Sequence, residues 1–85
     1  MQILISLQDY KPENGFRFDW EDGFDITIKK DEGAIHLLAN KEGLISLAKH
    51  FLNLAQDHFP PGYHFHLDEI NSLEEGSSEL VVEKL

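Results

Sequence analysis

Apolar and polar residues alternate along several short stretches of this 85-residue chain. Alternation of this kind predicts β-strands that bury one face and expose the other. Turn-forming residues stand between most of the stretches, including a turn predicted between residues 9 and 15. We predict strands at residues 3–7, 16–20, 24–29 and 34–39, and a second antiparallel hairpin formed by strands at residues 63–68 and 79–83.

The middle of the chain instead has the three- and four-residue periodicity of an amphipathic helix. Asn40 suits the N-cap position, and Pro60-Pro61-Gly62 ends any helix that precedes it. We therefore predict a helix from about residue 41 to 58, with His50 and His58 at its boundary or surface. The apolar stripe that we expect in the core comprises Leu44, Leu47, Ala48, Phe51 and Ala55, and it is widened by Ile45, Leu52 and Phe59.

These elements together predict an α+β fold in one small domain that spans residues 1–85. Its expected architecture is an antiparallel sheet of about five to six strands with one long helix on one face. The order of elements is β-β-β-β-α-β-β. The opposite face of such a sheet is open to solvent or to a partner.

The chain carries 16 acidic and seven basic residues, for a formal charge of −9. This sign opposes binding to nucleic acid and to anionic membranes, and it favours a basic protein partner. The alternative is that the acidity only keeps a small protein soluble. Residues 61–85 contain six acidic residues and one basic residue, whereas residues 33–60 contain two of each.

The absence of cysteine excludes disulfides and thiolate chemistry and favours a cytoplasmic location. The amino-terminal residues 1–7 have no basic leader and too short an apolar run for a signal peptide. No stretch is long enough to span a bilayer. We find neither a nucleophile elbow nor a glycine-rich phosphate loop, and we therefore expect no enzymatic activity and no cofactor.

Three polar residues, His64, His66 and Asp68, alternate along one predicted strand and share one face. Side chains two residues apart on a strand lie about 6–7 Å apart, so the two imidazoles can share a zinc ion if a third ligand joins them. Asp68 or His36 is the candidate third ligand. The alternative is an ordinary polar strand face, and both a small metal-binding module and a pH-responsive one remain open.

Two further segments are candidate recognition surfaces. Trp20 stands among Asp19, Glu21 and Asp22. Tryptophan is enriched at binding hot spots, and the carboxylates suit Arg or Lys on a partner. The alternative is that Trp20 completes a core strand. In the polar loop at residues 71–78, adjacent carboxylates either reach into a basic active site or belong to a plain hairpin connection.

Several motifs resemble a known family. They are Asn40 to Ala48, which opens the helix, Leu54-Ala55-Gln56, Gly62 to Asp68, Asn71 to Ser77, and Glu79-Leu80. This run, over about residues 34–84, resembles the immunity proteins of bacterial polymorphic toxin systems, and most closely immunity protein family thirty-two.

The resemblance implies a small α+β protein that binds and blocks a cognate toxin without turnover. The toxin is expected to be basic, and the immunity protein to be a monomer or a homodimer. A generic bacterial accessory protein without a toxin is a further alternative. The positions that the resemblance carries over as toxin contacts are His64, His66, Asp68, Asn71, Glu74 and Glu75.

Overall fold

The computed structural model describes residues 1–7 and 15–85, so most of the turn predicted at residues 9–15 lies outside the described part. The class is α+β, as predicted. The prediction of one sheet with five to six strands is wrong, because the described strands form two separate two-stranded antiparallel sheets. In chain order the elements are β1 (Ile26–Asp31), β2 (Ala34–Ala39), α1 (Lys41–Leu54), β3 (His64–Leu67) and β4 (Leu80–Glu83).

The first sheet is the hairpin of β1 and β2, in register from Ile26 opposite Ala39 to Asp31 opposite Ala34. Ile26 and Ile28 point into the core. The second edge of β1 is occupied by a loop rather than by a strand. The backbone N–H groups of Glu74 and Ser78 donate to the carbonyl oxygens of Ile26 and Ile28, at 2.9 and 2.8 Å. The loop therefore ties the two hairpins together.

Residues 3–7 and 16–20, which we predicted to be strands, form none in the structure. For residues 16–21 the reason is that backbone N–H groups find side-chain acceptors instead of a neighbouring strand. A buried N–H group needs a partner, but any acceptor of suitable geometry serves. The bonds run from Phe16 N–H to Tyr63 Oη (2.8 Å), from Asp19 N–H to His50 Nε2 (2.9 Å) and from Glu21 N–H to Ser46 Oγ (2.9 Å).

The amino-terminal end of α1 is held by Asn40, the predicted N-cap. Its side-chain oxygen accepts from Gly43 N–H at 2.8 Å and from Asp25 N–H at 3.0 Å. Its side-chain nitrogen donates to Gly23 O at 2.9 Å. One amide group thus caps the helix and also fixes the turn that leads into β1, which is why the predicted start of the helix is confirmed.

The carboxyl-terminal end of α1 comes four residues before the predicted one, at Leu54 rather than at residue 58. After Leu54 the helical hydrogen-bond pattern gives way to a tighter turn, in which Gln56 N–H donates to Asn53 O three residues earlier. The ammonium of Lys84 donates to Gln56 O at 2.7 Å. A cation suits the free carbonyls after a helix, and here it comes from the residue after β4. Among the described residues, no helix is long and apolar enough to cross a membrane.

The helix is rotated relative to our prediction. Leu44 and Phe51 are 55% and 45% exposed, and Ala48 and Ala55 are also exposed. Of the stripe that we expected in the core, Leu47 and Phe59 are buried, and Phe59 lies beyond the end of α1. The buried face of α1 instead comprises Gly43, Ser46, Leu47, His50, Asn53 and Leu54.

The polar residues on that buried face explain the rotation. Ser46 and His50 accept the N–H groups of Glu21 and Asp19, so these side chains must face residues 16–21. His50 is 1% exposed, and its predicted place at the boundary or surface is therefore wrong. His58 is exposed, as expected. The core that α1 and the hairpins enclose consists of Ile26, Ile28, Leu47, Leu54, Phe59, Phe65, Leu67 and Leu73.

Gly43 of α1 lies directly against the backbone that leads into β1 and has no room for a side chain. A Cβ atom there would lie 2.8 Å from Asp25 O and 2.9 Å from Ile26 Cγ1. Alanine is favoured over glycine in helices by about 1 kcal/mol, but crowding against backbone costs about 1–3 kcal/mol. The balance of the two is a loss of up to about 2 kcal/mol, and we expect Gly43→Ala to lower the free energy of unfolding by that amount in urea titrations.

The control is Lys41→Ala at the exposed first position of α1, which we expect to change stability by less than about 0.5 kcal/mol. A stabilised Gly43→Ala variant would show that β1 can move away from the helix at little expense.

Candidate functional site

The outer face of the second hairpin brings two of the predicted site residues together. Along β3, Phe65 and Leu67 are buried at 4% and 0% exposure, so His64 and His66 point to the opposite side. The register places His64 directly opposite Glu83 of β4. Opposite residues on antiparallel strands share a face. The hairpin therefore presents imidazoles and carboxylates side by side.

Each histidine on this face has an oxygen atom beside its Nδ1. His66 Nδ1 lies 2.6 Å from Glu79 Oε1, and His64 Nδ1 lies 3.1 Å from Gly62 O and 3.9 Å from Glu83 Oε1. An oxygen acceptor at this distance places the proton on Nδ1. The two rings contact each other edge to face, with centroids 5.1 Å apart. The oxygen atoms thus orient both rings.

Asp68 and Asn71 hold the turn that follows β3. Asp68 Oδ1 accepts from the N–H groups of Ile70 (2.9 Å) and Asn71 (3.0 Å), while Asn71 Oδ1 accepts from Asp68 N–H at 3.0 Å. Asn71 Nδ2 also donates to His66 O at 2.7 Å. This reciprocal pattern is an Asx turn, so in the free protein both side chains serve the local backbone.

The candidate metal ligands are not assembled. His36 lies on β2, in the other sheet, and Asp68 uses an oxygen for its own turn. Across residues 1–7 and 15–85, no three His, Asp or Glu side chains are grouped so that they could hold a metal ion.

The loop and the outer face of the hairpin carry four carboxylates that no Lys or Arg of the described residues neutralises. Glu74, Glu75, Glu79 and Glu83 are exposed. In the described part of the chain, the ion pairs of Glu79 and Glu83 are with histidines, and no Lys or Arg pairs with any of the four. Lys84, the one basic residue of segment 61–85, directs its ammonium to the end of α1.

The acidic turn near Trp20 is built differently, because Lys49 neutralises part of it. The Lys49 ammonium lies 3.0 Å from Asp19 Oδ2 and 3.3 Å from Glu21 Oε1. Burial alone would lower the pKa of Lys49, but the hydrogen bonds that its ammonium donates to these two carboxylates, together with their charges, raise the pKa above its ordinary value. Asp22 is exposed at the turn.

The ring of Trp20 is partly buried and packs inside an aromatic cluster. It stacks on Phe24 with centroids 4.5 Å apart and on Phe18 at 5.6 Å, and it meets the edge of His50 at 4.4 Å. Residues 16–24 thus lie as an aromatic band against the helix. A contact with a partner at this place would use the rim of the ring and the carboxylate of Asp22.

His50 is the titratable residue whose position the sequence analysis missed. Its Nε2 accepts from Asp19 N–H at 2.9 Å, and its Nδ1 has no partner among the described residues. A cavity of about 20 Å³, also lined by Arg17, borders the ring. Burial, assisted by the charge of Lys49, lowers the pKa of His50 from 6.5 to about 4. His50 is therefore a neutral, structural imidazole.

The spacing of polar residues along the helix indicates the buried position of His50. Ser46, His50 and Asn53 are spaced by four and three residues, the same periodicity as the apolar stripe. Hydropathy alone predicts that the apolar side of the helix is buried, because hydropathy takes no account of backbone N–H groups elsewhere in the chain that need acceptors on the helix. Glu83 was missed as a neighbour of His64 because cross-strand pairing depends on the hairpin register.

Comparison with known proteins identifies the family. No curated protein and no solved structure matches the chain. A protein-family model described as Immunity protein 32 matches residues 34–85, the part that contains β2, α1 and the second hairpin. The match confirms the resemblance seen in the motifs. Because it covers more than half of the 85 residues, the chain belongs to the Immunity protein 32 family.

Proposed function

We propose that this chain neutralises a cognate toxin by direct, stoichiometric binding through the acidic outer face of the second hairpin and its loop. Membership of an immunity-protein family implies a toxin partner and favours a binding role over an enzymatic one. We call the proposed contact surface the acidic face. It consists of His64, His66, Glu74, Glu75, Glu79 and Glu83.

The observation that carries the proposal is the contrast between the two acidic regions. Asp19 and Glu21 near Trp20 share the ammonium of Lys49. No Lys or Arg of residues 1–7 and 15–85 pairs with Glu74 or Glu75, and Lys84 directs its ammonium to the end of α1. Uncompensated carboxylates on one side of a protein set up a field that steers a basic partner and speeds association.

The chemistry of the face suits a basic toxin. Arginine side chains on a partner can form two parallel hydrogen bonds with a carboxylate, and Glu74 and Glu75 are adjacent on an exposed loop. His64 and His66 are exposed on the outer face of the same hairpin, each with its Nδ1 turned to an oxygen of the protein. Asp68 and Asn71 support the face by holding the turn between β3 and the loop.

Reversal of charge on the acidic face tests the proposal. We expect the variant Glu74→Lys, Glu75→Lys to bind the toxin encoded beside it at least about 10-fold more weakly, a loss of about 1.4 kcal/mol. The loss should appear in calorimetric titration and as lost growth rescue on co-expression. Both residues are exposed, so circular dichroism should show an intact fold.

The matched control is Asp31→Lys, Glu32→Lys, which makes the same change in net charge at the exposed turn between β1 and β2. We expect it to retain affinity within about threefold at 0.15 M salt, where distant charges are screened. Equal losses in both variants would assign the effect to net charge. Full rescue by the Glu74 and Glu75 variant would place the contact surface elsewhere.

A further inference from the structure

The outward side of α1 carries an apolar seam, which we define as Leu44, Ala48, Phe51 and Ala55. These residues are spaced by four, three and four positions and are all exposed. Leu52, beside the seam, is 50% exposed. Single exposed apolar residues are common on protein surfaces. A continuous row at this spacing is instead the pattern by which one helix packs against another.

The seam is self-complementary when two copies of α1 lie antiparallel. A two-fold axis between positions 49 and 50 sets Leu44 opposite Ala55 of the second copy and Phe51 opposite Ala48 of the second copy. Each large side chain then faces an alanine, which lets the two helices approach closely and interdigitate. The 14 residues of α1 extend about 21 Å, room for two such layers on each side of the axis.

Charges agree with the same arrangement. The dipoles of antiparallel helices oppose each other, which favours this orientation over a parallel one. Residues 41–55 contain one carboxylate, Glu42, which is partly buried. In a chain of charge −9, this is a surface that a second, equally acidic copy can approach with little repulsion.

We propose that the seam is the contact of a symmetric, antiparallel dimer of this chain. The seam and the acidic face lie on different sides of the core. Phe65 of β3 points towards His50 on the inner side of α1, with ring centroids 6.4 Å apart, while His64 and His66 point away from it. A dimer formed through the seam therefore leaves the acidic face of each copy free for a toxin.

The contact is small and the association correspondingly weak. A single helix pair buries less than the roughly 800 Å² per partner of a stable interface. We expect a dissociation constant on the order of 10–100 µM. Sedimentation velocity on the full chain, from about 10 µM to about 1 mM, spans this range and should show a rise from monomer to dimer.

Two variants with the same charge change locate the contact. Phe51→Lys places a charge in the seam and should keep the protein monomeric at every concentration. Leu38→Lys places it on β2, where Leu38 is 53% exposed, and should leave dimerisation unchanged within about twofold. Thermal unfolding checks that both variants fold. If Phe51→Lys does not fold, Leu44→Gln serves as a second variant of the seam.

Three outcomes would overturn the proposal. The first is a wild-type chain that stays monomeric at about 1 mM. The second is a dimer abolished by Leu38→Lys and not by Phe51→Lys, which would move the contact to β2. The third is a folded Phe51→Lys variant that no longer binds the toxin, which would make the seam part of the toxin interface. Retained toxin binding by a monomeric Phe51→Lys variant supports separate surfaces.

Discussion

Lowering the pH from 6.5 to about 4 is expected to remove about 3 kcal/mol of stability through His50 alone. The imidazole is 1% exposed, and burial is the largest cause of its lowered pKa, followed by the charge of Lys49. The carboxylate of Asp19 pulls in the opposite direction. Protonation also ends the acceptor role of Nε2 towards Asp19 N–H.

The direction of this pH effect follows from the different pKa of His50 in the unfolded and the folded chain. The unfolded chain takes up this proton near pH 6.5, whereas the folded protein takes it up near pH 4. Between these values the unfolded state binds more protons, so stability falls as the pH falls. The contribution of His50 is fully present above pH 6.5 and is lost progressively down to about pH 4.

Urea unfolding at a series of pH values measures this effect. The comparison is His50→Gln, whose side-chain oxygen can accept from Asp19 N–H without titrating in this range. Carboxylates contribute equally in both proteins, so the difference between the two stability curves isolates His50. Parallel curves between pH 6.5 and 4 would show that this imidazole is solvated in the folded protein.

Replacement of Phe65 by alanine is expected to lower the free energy of unfolding by about 3–5 kcal/mol. Phe65 is 4% exposed and stacks on Phe16 with centroids 4.8 Å apart, with Phe18 at 5.7 Å. It therefore joins β3 to the band of residues 16–24. A domain of 85 residues has a total stability of about 4–13 kcal/mol, so this loss leaves a marginal fold.

In the Phe65→Ala variant, we expect residues 16–24 to lose order before the two hairpins do. Hydrogen exchange at Asp19 and Glu21 is expected to accelerate more than in β3 and β4, because their N–H groups bond to α1 side chains rather than to a sheet. Trp20 emission should shift to the red as its stack on Phe24 loosens.

The matched control is Val81→Ala on the outer face of the same hairpin, opposite His66 and 47% exposed. It should lower stability by less than about 1 kcal/mol and leave Trp20 emission unchanged. A loss below 1 kcal/mol for Phe65→Ala, with unchanged emission, would mean that the band is anchored by other contacts.

Local features of the fold could be predicted from the sequence. The bounds of β2 and the start of α1 follow from alternation and from the Asn40 cap, whose partners are near in sequence. The hairpin of β3 and β4 follows from the alternation after Pro60-Pro61-Gly62. The exposure of His64 and His66 follows from the same alternation, because the neighbours Phe65 and Leu67 are the apolar members.

Other features depend on contacts between distant segments. Residues 16–20 alternate like a strand, yet side chains of α1 and Tyr63 accept their N–H groups, 47 positions apart for Phe16 and Tyr63. Residues 3–7 alternate as well, yet within the described part of the chain they pair with no strand, and alternation without a paired neighbour forms no sheet. A period of two shows that a segment can be a strand, but not that a neighbouring strand is available.

The sequence by itself determined the α+β class, the hairpin that carries the acidic face, and the family to which residues 34–85 belong, because these depend on periodicity, capping and motif. The tertiary structure alone decided which side of α1 is buried. Hydropathy favours Leu44 and Phe51 as core residues, but the N–H groups of Asp19 and Glu21 require the acceptors His50 and Ser46. An unpartnered buried N–H costs more than an exposed leucine, so the polar side faces inward and the apolar seam faces out.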